Sequence, residues 1–467
     1  MIKNYINDKK YLYNVFIILI FSISLKLFLL HKSGPVYYGD SAEYLEVINN
    51  INNGLGFSRI DISDNLMKPY SNKPPLFFYI VYFSKFLFGS DWAKNITIIN
   101  IISSSLTIVL WIYISLIITQ NPKISLLTGW LMMLNINLIY NNILLMPDTF
   151  YLMTFSFFFL LFLTALRSKK AYLFFISGIL MGISVLTRTL LKAYWILILP
   201  LIILYFKDEI KQKIKYILLF LLGYLIIVFP YHTRNYLKFH TPTPIEFHQG
   251  IALYWSIIPL TKSTDYKYLY SKYPKIEEII NIPPHKAGSP DEYKIKTEVK
   301  LTDAEMAKYL TIITLYTIVQ NPISFIKIYI RNFINLITSP SSYLSSIDIF
   351  YKDYFEKQHE IIKKFINDYK TLSFKEFLII TPNLFFRFIN LILFLTFLAG
   401  ITLSFKQKYI NKEINIFIIS LIVYIIGVTS LTPAYDRYRL PIEPIICFYL
   451  SLFIFYIISK NKFGYGN

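Results

Sequence analysis

What most constrains this chain is a series of apolar runs, each about as long as a bilayer crossing, separated by short connectors rich in Lys and Arg. The first, from Tyr11 to Leu30, has roughly the 20 residues a helix needs to span a membrane. Further spans are expected at about 96–119, 124–140, 149–166, 172–186, 190–206, 214–230, 384–403, 414–431 and 442–458. Only segments that satisfy their own backbone hydrogen bonds are stable in hydrocarbon. An all-α polytopic membrane protein with about 10 transmembrane helices and additional interfacial helices follows. The composition agrees, since 55% hydrophobic residues is more than several soluble domains would carry.

Charge orients the runs. The net charge of +19 lies mostly in connectors, where positive residues hold loops in the cytoplasm. No basic stripe stands apart from the membrane segments, so a nucleic-acid partner is not expected. Lys3, Lys9 and Lys10 precede the first run and no small-residue cleavage site follows it, as in a retained helix with its N-terminus inside. The apolar stretch 76–88 is short and carries Lys85. If it only lies in the interface, the Arg167–Lys170 and 207–215 clusters both fall inside, and that placement is preferred. Three regions result: a transmembrane module over 1–231, whose first external loop (31–95) carries amphipathic helices; an external layer over 232–382; and C-terminal transmembrane helices over 383–467. Within the external layer, Asn321-Pro322 should open an amphipathic helix over 323–337. The lone cysteine, Cys447, excludes an intrachain disulfide.

With this topology, scattered polar groups reach one side of the membrane. They are Asp40, Glu43 and Tyr44 on a first-loop amphipathic helix; Lys73 before Pro74-Pro75; Asp148 after Met146-Pro147; Arg188 and Lys192 in a tight connector; Arg234 after His232; and Arg437 and Arg439 ahead of the last span. Carboxylates among an excess of cations at a lipid boundary suit one chemistry. A base takes the proton of an acceptor hydroxyl while fixed cations stabilise a phosphate leaving group. Structural roles compete: Asp40 with Glu43 fits a capping box, Asp148 fits an N-cap, and Arg437 and Arg439 fit anchors at the membrane edge. The histidines lack a paired spacing on one helix, which argues against zinc. Asp40, Glu43 and Asp148 could share a divalent cation if they converge, and metal dependence stays open.

Four stretches resemble the GT-C glycosyltransferases, specifically the family of dolichyl-phosphate-mannose protein mannosyltransferases and lipid A aminoarabinose transferases. They are Gly39-Asp40-Ser41-Ala42-Glu43-Tyr44 through Ser58; Lys73-Pro74-Pro75-Leu76; Met146-Pro147-Asp148; and Arg437-Tyr438-Arg439-Leu440-Pro441. Thr233-Arg234-Asn235-Tyr236 is similar to the family's external-loop pattern. The resemblance implies GT-C architecture and a plasma-membrane, multi-pass enzyme moving a monosaccharide from a polyprenyl-phosphate donor to a lipid, glycan or protein hydroxyl on the outer face, with inversion. It implies Asp40 and Asp148 as the catalytic acidic residues and Lys73, with Arg234, near the donor phosphate; the convergence on one side of the membrane adds Glu43, Tyr44, Arg188, Lys192, Arg437 and Arg439 as substrate-binding candidates. A flippase, polymerase or ligase of lipid-linked saccharides is the alternative.

Overall fold

The computed structural model describes residues 8–463 except 38–39, 62–64, 208, 241–245, 284–291, 341–360, 362–372, 408–409 and 434–435. Tyr38 and Gly39 of the first-loop motif and most of 341–372 therefore lie outside the described residues. The fold is helical, with one short antiparallel hairpin of β1 (Ser58–Ile60) and β2 (Met67–Pro69).

Helix starts follow local chemistry. The first helix, α1 (Lys9–Ser33), opens at Asp8, whose carboxylate accepts from the Lys10 amide, and α4 (Trp92–Thr119) opens at Asp91 in the same way. Between them lie α2 (Ser41–Asn52) and α3 (Leu76–Phe88). Next come α5 (Pro122–Met133), α6 (Ile136–Tyr140), α7 (Asp148–Ser168), α8 (Ala171–Thr187), a 3₁₀ turn at Thr189–Leu191, α9 (Trp195–Tyr205) and α10 (Ile210–Phe239). The chain then forms α11 (His248–Thr261), α12 (Lys267–Lys272), α13 (Lys275–Asn281), α14 (Glu292–Glu298), α15 (Asp303–Gln320) and α16 (Pro322–Thr338). It ends with α17 (Phe374–Lys406), α18 (Lys412–Thr429), α19 (Asp436–Arg439) and α20 (Glu443–Phe463). Helices α15 and α17 begin with capping boxes, Thr302 with Glu305 and Ser373 with Glu376.

Seven described helices are long and apolar enough to cross a membrane, where the sequence suggested about ten. The difference has local causes. The expected span at 124–140 is broken because Asn135 caps a new helix, its side chain accepting from the Leu138 amide at 3.0 Å. The spans expected at 172–186 and 190–206 form helices of 17 and 11 residues, the second interrupted by Pro200. The amphipathic helix expected at 323–337 is present as α16, bent by 110° from α15 at Asn321.

Helices α8 and α10 touch through glycines. A Cβ on Gly178 would sit 2.0 Å from the Phe220 carbonyl oxygen, and one on Gly223 would sit 2.1 Å from that of Phe175. Gly182, one turn beyond Gly178, meets the Ile227 side chain, with a Cβ there 2.7 Å from the Ile227 Cβ. This small-residue spacing lets two backbones approach in lipid. Gly178→Val should destabilise the protein by about 3 kcal/mol, because backbone cannot yield to the new methyls. An unchanged unfolding midpoint in nanodiscs would contradict this packing.

A second apolar core, built from Ile251, Tyr254, Ile257, Met306, Leu310 and Ile313 among others, holds α11 to α15 together apart from the main bundle. Its helices meet closely at Gly250, where a Cβ would lie 2.5 Å from the Ala307 carbonyl oxygen.

Candidate active site

The first loop is fastened to the segment before α7 by a parallel backbone bridge. Val36 donates to Ile143 at 2.8 Å, and Leu145 donates back to Val36 at 3.1 Å. Ser41 adds a hydrogen bond to the Leu145 carbonyl, and Asn100 holds the carbonyls of Leu144 and Met146. Two stretches a hundred residues apart in sequence, one carrying Asp40 and the other Asp148, are thereby brought to one place.

Asp40 precedes α2 but does not cap it with its side chain. Its carboxylate accepts from the Lys73 ammonium at 2.8 Å. The capping-box reading therefore fails at both residues, because Glu43 pairs with Arg59 at 2.8 Å, alongside Glu46. Burial pushes the Asp40 carboxyl up, but the Lys73 ammonium and, more weakly, His248 and Arg437 outweigh it and hold it well below the usual carboxylate range. Burial conversely pulls Lys73 down, and Asp40 with Glu43 more than restores it, so its pKa is raised.

The loop bearing Lys73 is held from behind. Arg234 donates to the Tyr70 carbonyl at 2.9 Å, with its guanidinium 5.4 Å from the centre of the Phe57 ring, and the Phe247 amide donates to the Ser71 carbonyl at 3.1 Å. Arg234 thus supports the loop and does not line the cavity described below, unlike the substrate-binding place expected for it.

Asp148 is 2% exposed and lies in the first turn of α7 rather than capping it. There the helix dipole favours its charge. It pairs with Arg188 and with the Arg437 Nε at 3.2 Å. Arg188 sits where α8 ends. The turn after it is held by tyrosines: Tyr424 donates to the Leu190 carbonyl and Tyr224 to that of Lys192. Arg437 is placed through Asn137, which donates to the Asp436 carbonyl and to Glu443.

These groups surround one cavity of about 370 Å³, lined by Asp40, Tyr44, Lys73, Arg188, Lys192 and Arg437. That volume lies in the range of small-ligand sites, about 300–1,000 Å³. One wall is apolar, with Ala252, Leu253, Val428 and Leu431. Tyr44 is buried and stacks on Phe78, which fixes the wall behind Asp40. Burial pulls the Lys192 ammonium below its ordinary value, with Glu246 acting against the shift.

Three expected contributors lie elsewhere. Glu43 and Arg234 serve the first loop as described, and Arg439 is 5% exposed beneath α16, pairing with Glu443 at 2.6 Å and donating to the carbonyls of Leu336 and Ile337. Breaking a buried pair leaves a charge without its partner, at about 3–5 kcal/mol. Arg439→Met should therefore lower the unfolding midpoint markedly, and a wild-type midpoint would show that the pair holds nothing together.

Sequence reasoning missed Glu246 and His248, which line the cavity together with Tyr438 of the Arg437-Tyr438-Arg439 stretch. Glu246 accepts a hydrogen bond from Thr189. His248 opens α11, so its side was set by the helix it begins, and its spacing carried no signal. Burial pushes its imidazole down to about 3, and the Lys73 ammonium adds to the shift while Asp40 opposes it. The unfolded chain binds this proton below about 6.5 and the folded one only below about 3. Between those values acid favours the unfolded state, so stability should fall as pH drops through that window. Thermal unfolding at stepped pH should show this slope, and His248→Gln should flatten it; equal slopes would discount His248.

Asp40, Glu43 and Asp148, which could have shared a divalent cation, each face different basic partners. Among the described residues no group of three or more His, Cys, Asp or Glu is arranged to hold a metal.

Cations flanking a carboxylate beside an apolar wall, on a scaffold of helices long enough to cross a membrane, suit an anionic group carried on an apolar chain. Residues 72–232, about a third of the chain, match the family of dolichyl-phosphate-mannose-protein mannosyltransferases. This supports reading the chain as a membrane glycosyltransferase. Among solved structures the chain is similar to ArnT from Cupriavidus metallidurans bound to undecaprenyl phosphate, at 13% identity and a TM-score of 0.40, covering 96% of this chain and 78% of that one. The apo form of the same protein is similar at 14% identity and a TM-score of 0.38, over 94% and 76%. No curated protein sequence matches.

Proposed function

We propose that the protein transfers a monosaccharide from a polyprenyl phosphate to an acceptor hydroxyl of the cell envelope, on the outer face of the membrane. The observation that carries this is the cavity itself, where Asp40 and four cations meet beside an apolar wall. The acceptor oxygen bonds to the anomeric carbon with inversion as the bond from that carbon to the phosphate oxygen breaks. Its proton goes to Asp40 and the electron pair leaves on the polyprenyl phosphate. Lys73 and Arg437 compensate the charge that grows on the phosphate, while Asp148 holds Arg188 and Arg437 in place. Helix α11 and the segment leading into it contribute His248, Ala252, Leu253 and Glu246 to the cavity wall.

The test is mass spectrometry of envelope glycans and polyprenyl-phosphate sugars with the gene intact and deleted. Loss of one glycan modification together with build-up of its lipid-linked donor is the expected result; unchanged profiles would refute the assignment. A carrier of lipid-linked saccharide is the second reading, and Lys26 favours it: this lysine is buried inside α1 and donates to the Ser105 hydroxyl at 3.2 Å. An ionisable group within a span marks a functional site, transport paths among them. Translocation by the reconstituted protein without any glycosidic bond formed would decide for that reading.

A further inference from the structure

We propose that Asn137 is a positioning residue of the transfer reaction, which sets the Arg437 guanidinium against the donor phosphate without itself touching substrate. The break between α5 and α6 is what brings it there. The inference rests on the function proposed above and adds a group that works from behind the cavity wall.

The break is rich in asparagine, with Asn135, Asn137, Asn141 and Asn142 close together in otherwise apolar sequence. Buried amides are costly unless they are hydrogen-bonded, so their partners show what they hold. Asn137 is 0% exposed, and none of these asparagines lines the cavity. Its amide nitrogen donates to the Asp436 carbonyl at 2.9 Å and to the Glu443 carboxylate at 3.0 Å. The first acceptor belongs to the peptide unit that joins Asp436 to Arg437. The second opens α20, beyond the turn that follows α19. One amide thereby grips the segment bearing Arg437 at both ends. Glu443 is fixed in turn by Asn135 at 2.9 Å and Arg439 at 2.6 Å.

The Asn137 amide is itself oriented. Asn141 donates to its side-chain oxygen and to its backbone carbonyl, both at 2.8 Å. With that oxygen accepting from Asn141, the donor end of the amide faces α19. Behind Asn141, the Thr149 hydroxyl donates to the Asn141 carbonyl at 3.2 Å. Thr149 follows Asp148, whose carboxylate meets the Arg437 Nε at 3.2 Å. The two members of that ion pair, 289 positions apart, are thus referred to the same asparagines from opposite sides. A displacement of about 1 Å is enough to lose most of what a fixed group contributes, so holding the backbone beside Arg437 bears directly on the phosphate.

The test is a double-mutant cycle on the full-length protein in nanodiscs, read both as affinity for farnesyl phosphate and as unfolding midpoint. Arg437→Met should weaken binding by about 10–100-fold, the contribution of one charge-assisted contact. Asn137→Leu, similar in shape but without the amide, should weaken it by about tenfold in the wild-type background and by less than about twofold where Arg437 is already Met. A role confined to stability would lower the midpoint and leave the affinity of the folded protein unchanged. Asn141→Ala leaves the Asn137 amide in place and removes what orients it, so it should give the same pattern with a smaller loss. Its own side-chain oxygen has no hydrogen-bond partner among the described residues, which makes this the milder change, and it carries the cycle if Asn137→Leu does not fold. Unchanged affinity in the folded variant, or an equal loss in both backgrounds, would overturn the inference. If the wild-type protein does not bind farnesyl phosphate, the proposed function fails and the inference with it; if it binds and the losses simply add, only the role of Asn137 fails.

Discussion

Asp40→Asn should remove nearly all sugar transfer, lowering turnover by about 10²–10⁴-fold, the contribution of a positioned general base, while the protein stays folded and inserted. Asparagine has the shape of aspartate and still accepts a hydrogen bond from Lys73, so the loop geometry at 2.8 Å has no reason to collapse. What it lacks is a basic oxygen to receive the acceptor proton. Donor binding should change little, since the cations that face the phosphate are intact. Turnover is measured with a labelled polyprenyl-phosphate sugar in membranes, and wild-type rates there would take the role away from Asp40.

Lys73→Met should be nearly as severe and should look different. The ammonium lies in a side chain only 9% exposed, where its charge is worth more than in water. Losing one preorganised group of this kind lowers turnover by about 10²–10³-fold. Its removal should also weaken donor binding, which Asp40→Asn does not. There is a second signature. Lys73 is the nearest of the cations that hold the Asp40 carboxyl below its usual range, against burial. Without it the carboxyl moves up, and the acid limb of the residual pH–rate profile shifts to higher pH. A variant with unchanged donor KM and an unshifted limb would show that Lys73 meets neither phosphate nor Asp40 during turnover.

Much of the scaffold was legible because the bilayer leaves few alternatives. Runs of apolar residues of the right length must become helices, and α1, α4, α7, α10 and α18 lie where periodicity and length put them. Helix starts at Asp8 and Asp91 follow from side-chain caps that a window of four residues contains, and the start after Asn321 follows from the proline at the first helical position. Asn135 was read as part of a span, however, because an asparagine within apolar sequence does not announce whether it caps a helix or sits in its middle. The close approach at Gly178 and Gly182 was present as a spacing but acquired meaning only when α10 was seen against it.

The site divides along the same line. By itself the sequence determined that charged residues must gather at the ends of apolar helices, since burying them in lipid unpaired is too costly; Asp40, Lys73, Asp148, Arg188, Lys192 and Arg437 were identified in that way. Which of them meet was decided by tertiary structure alone. Side chains separated by up to 289 positions, as Asp148 and Arg437 are, are paired by the packing of helices between them, and no local window records that distance. The same packing turned Glu43, Arg234 and Arg439 to structural partners, and it brought Glu246 and His248 into the cavity from a segment that gave no sign of chemistry. Local sequence sets what each stretch can be. The choice among partners of like charge and similar reach is made by the three-dimensional arrangement, because electrostatic attraction depends on distance in space and not along the chain.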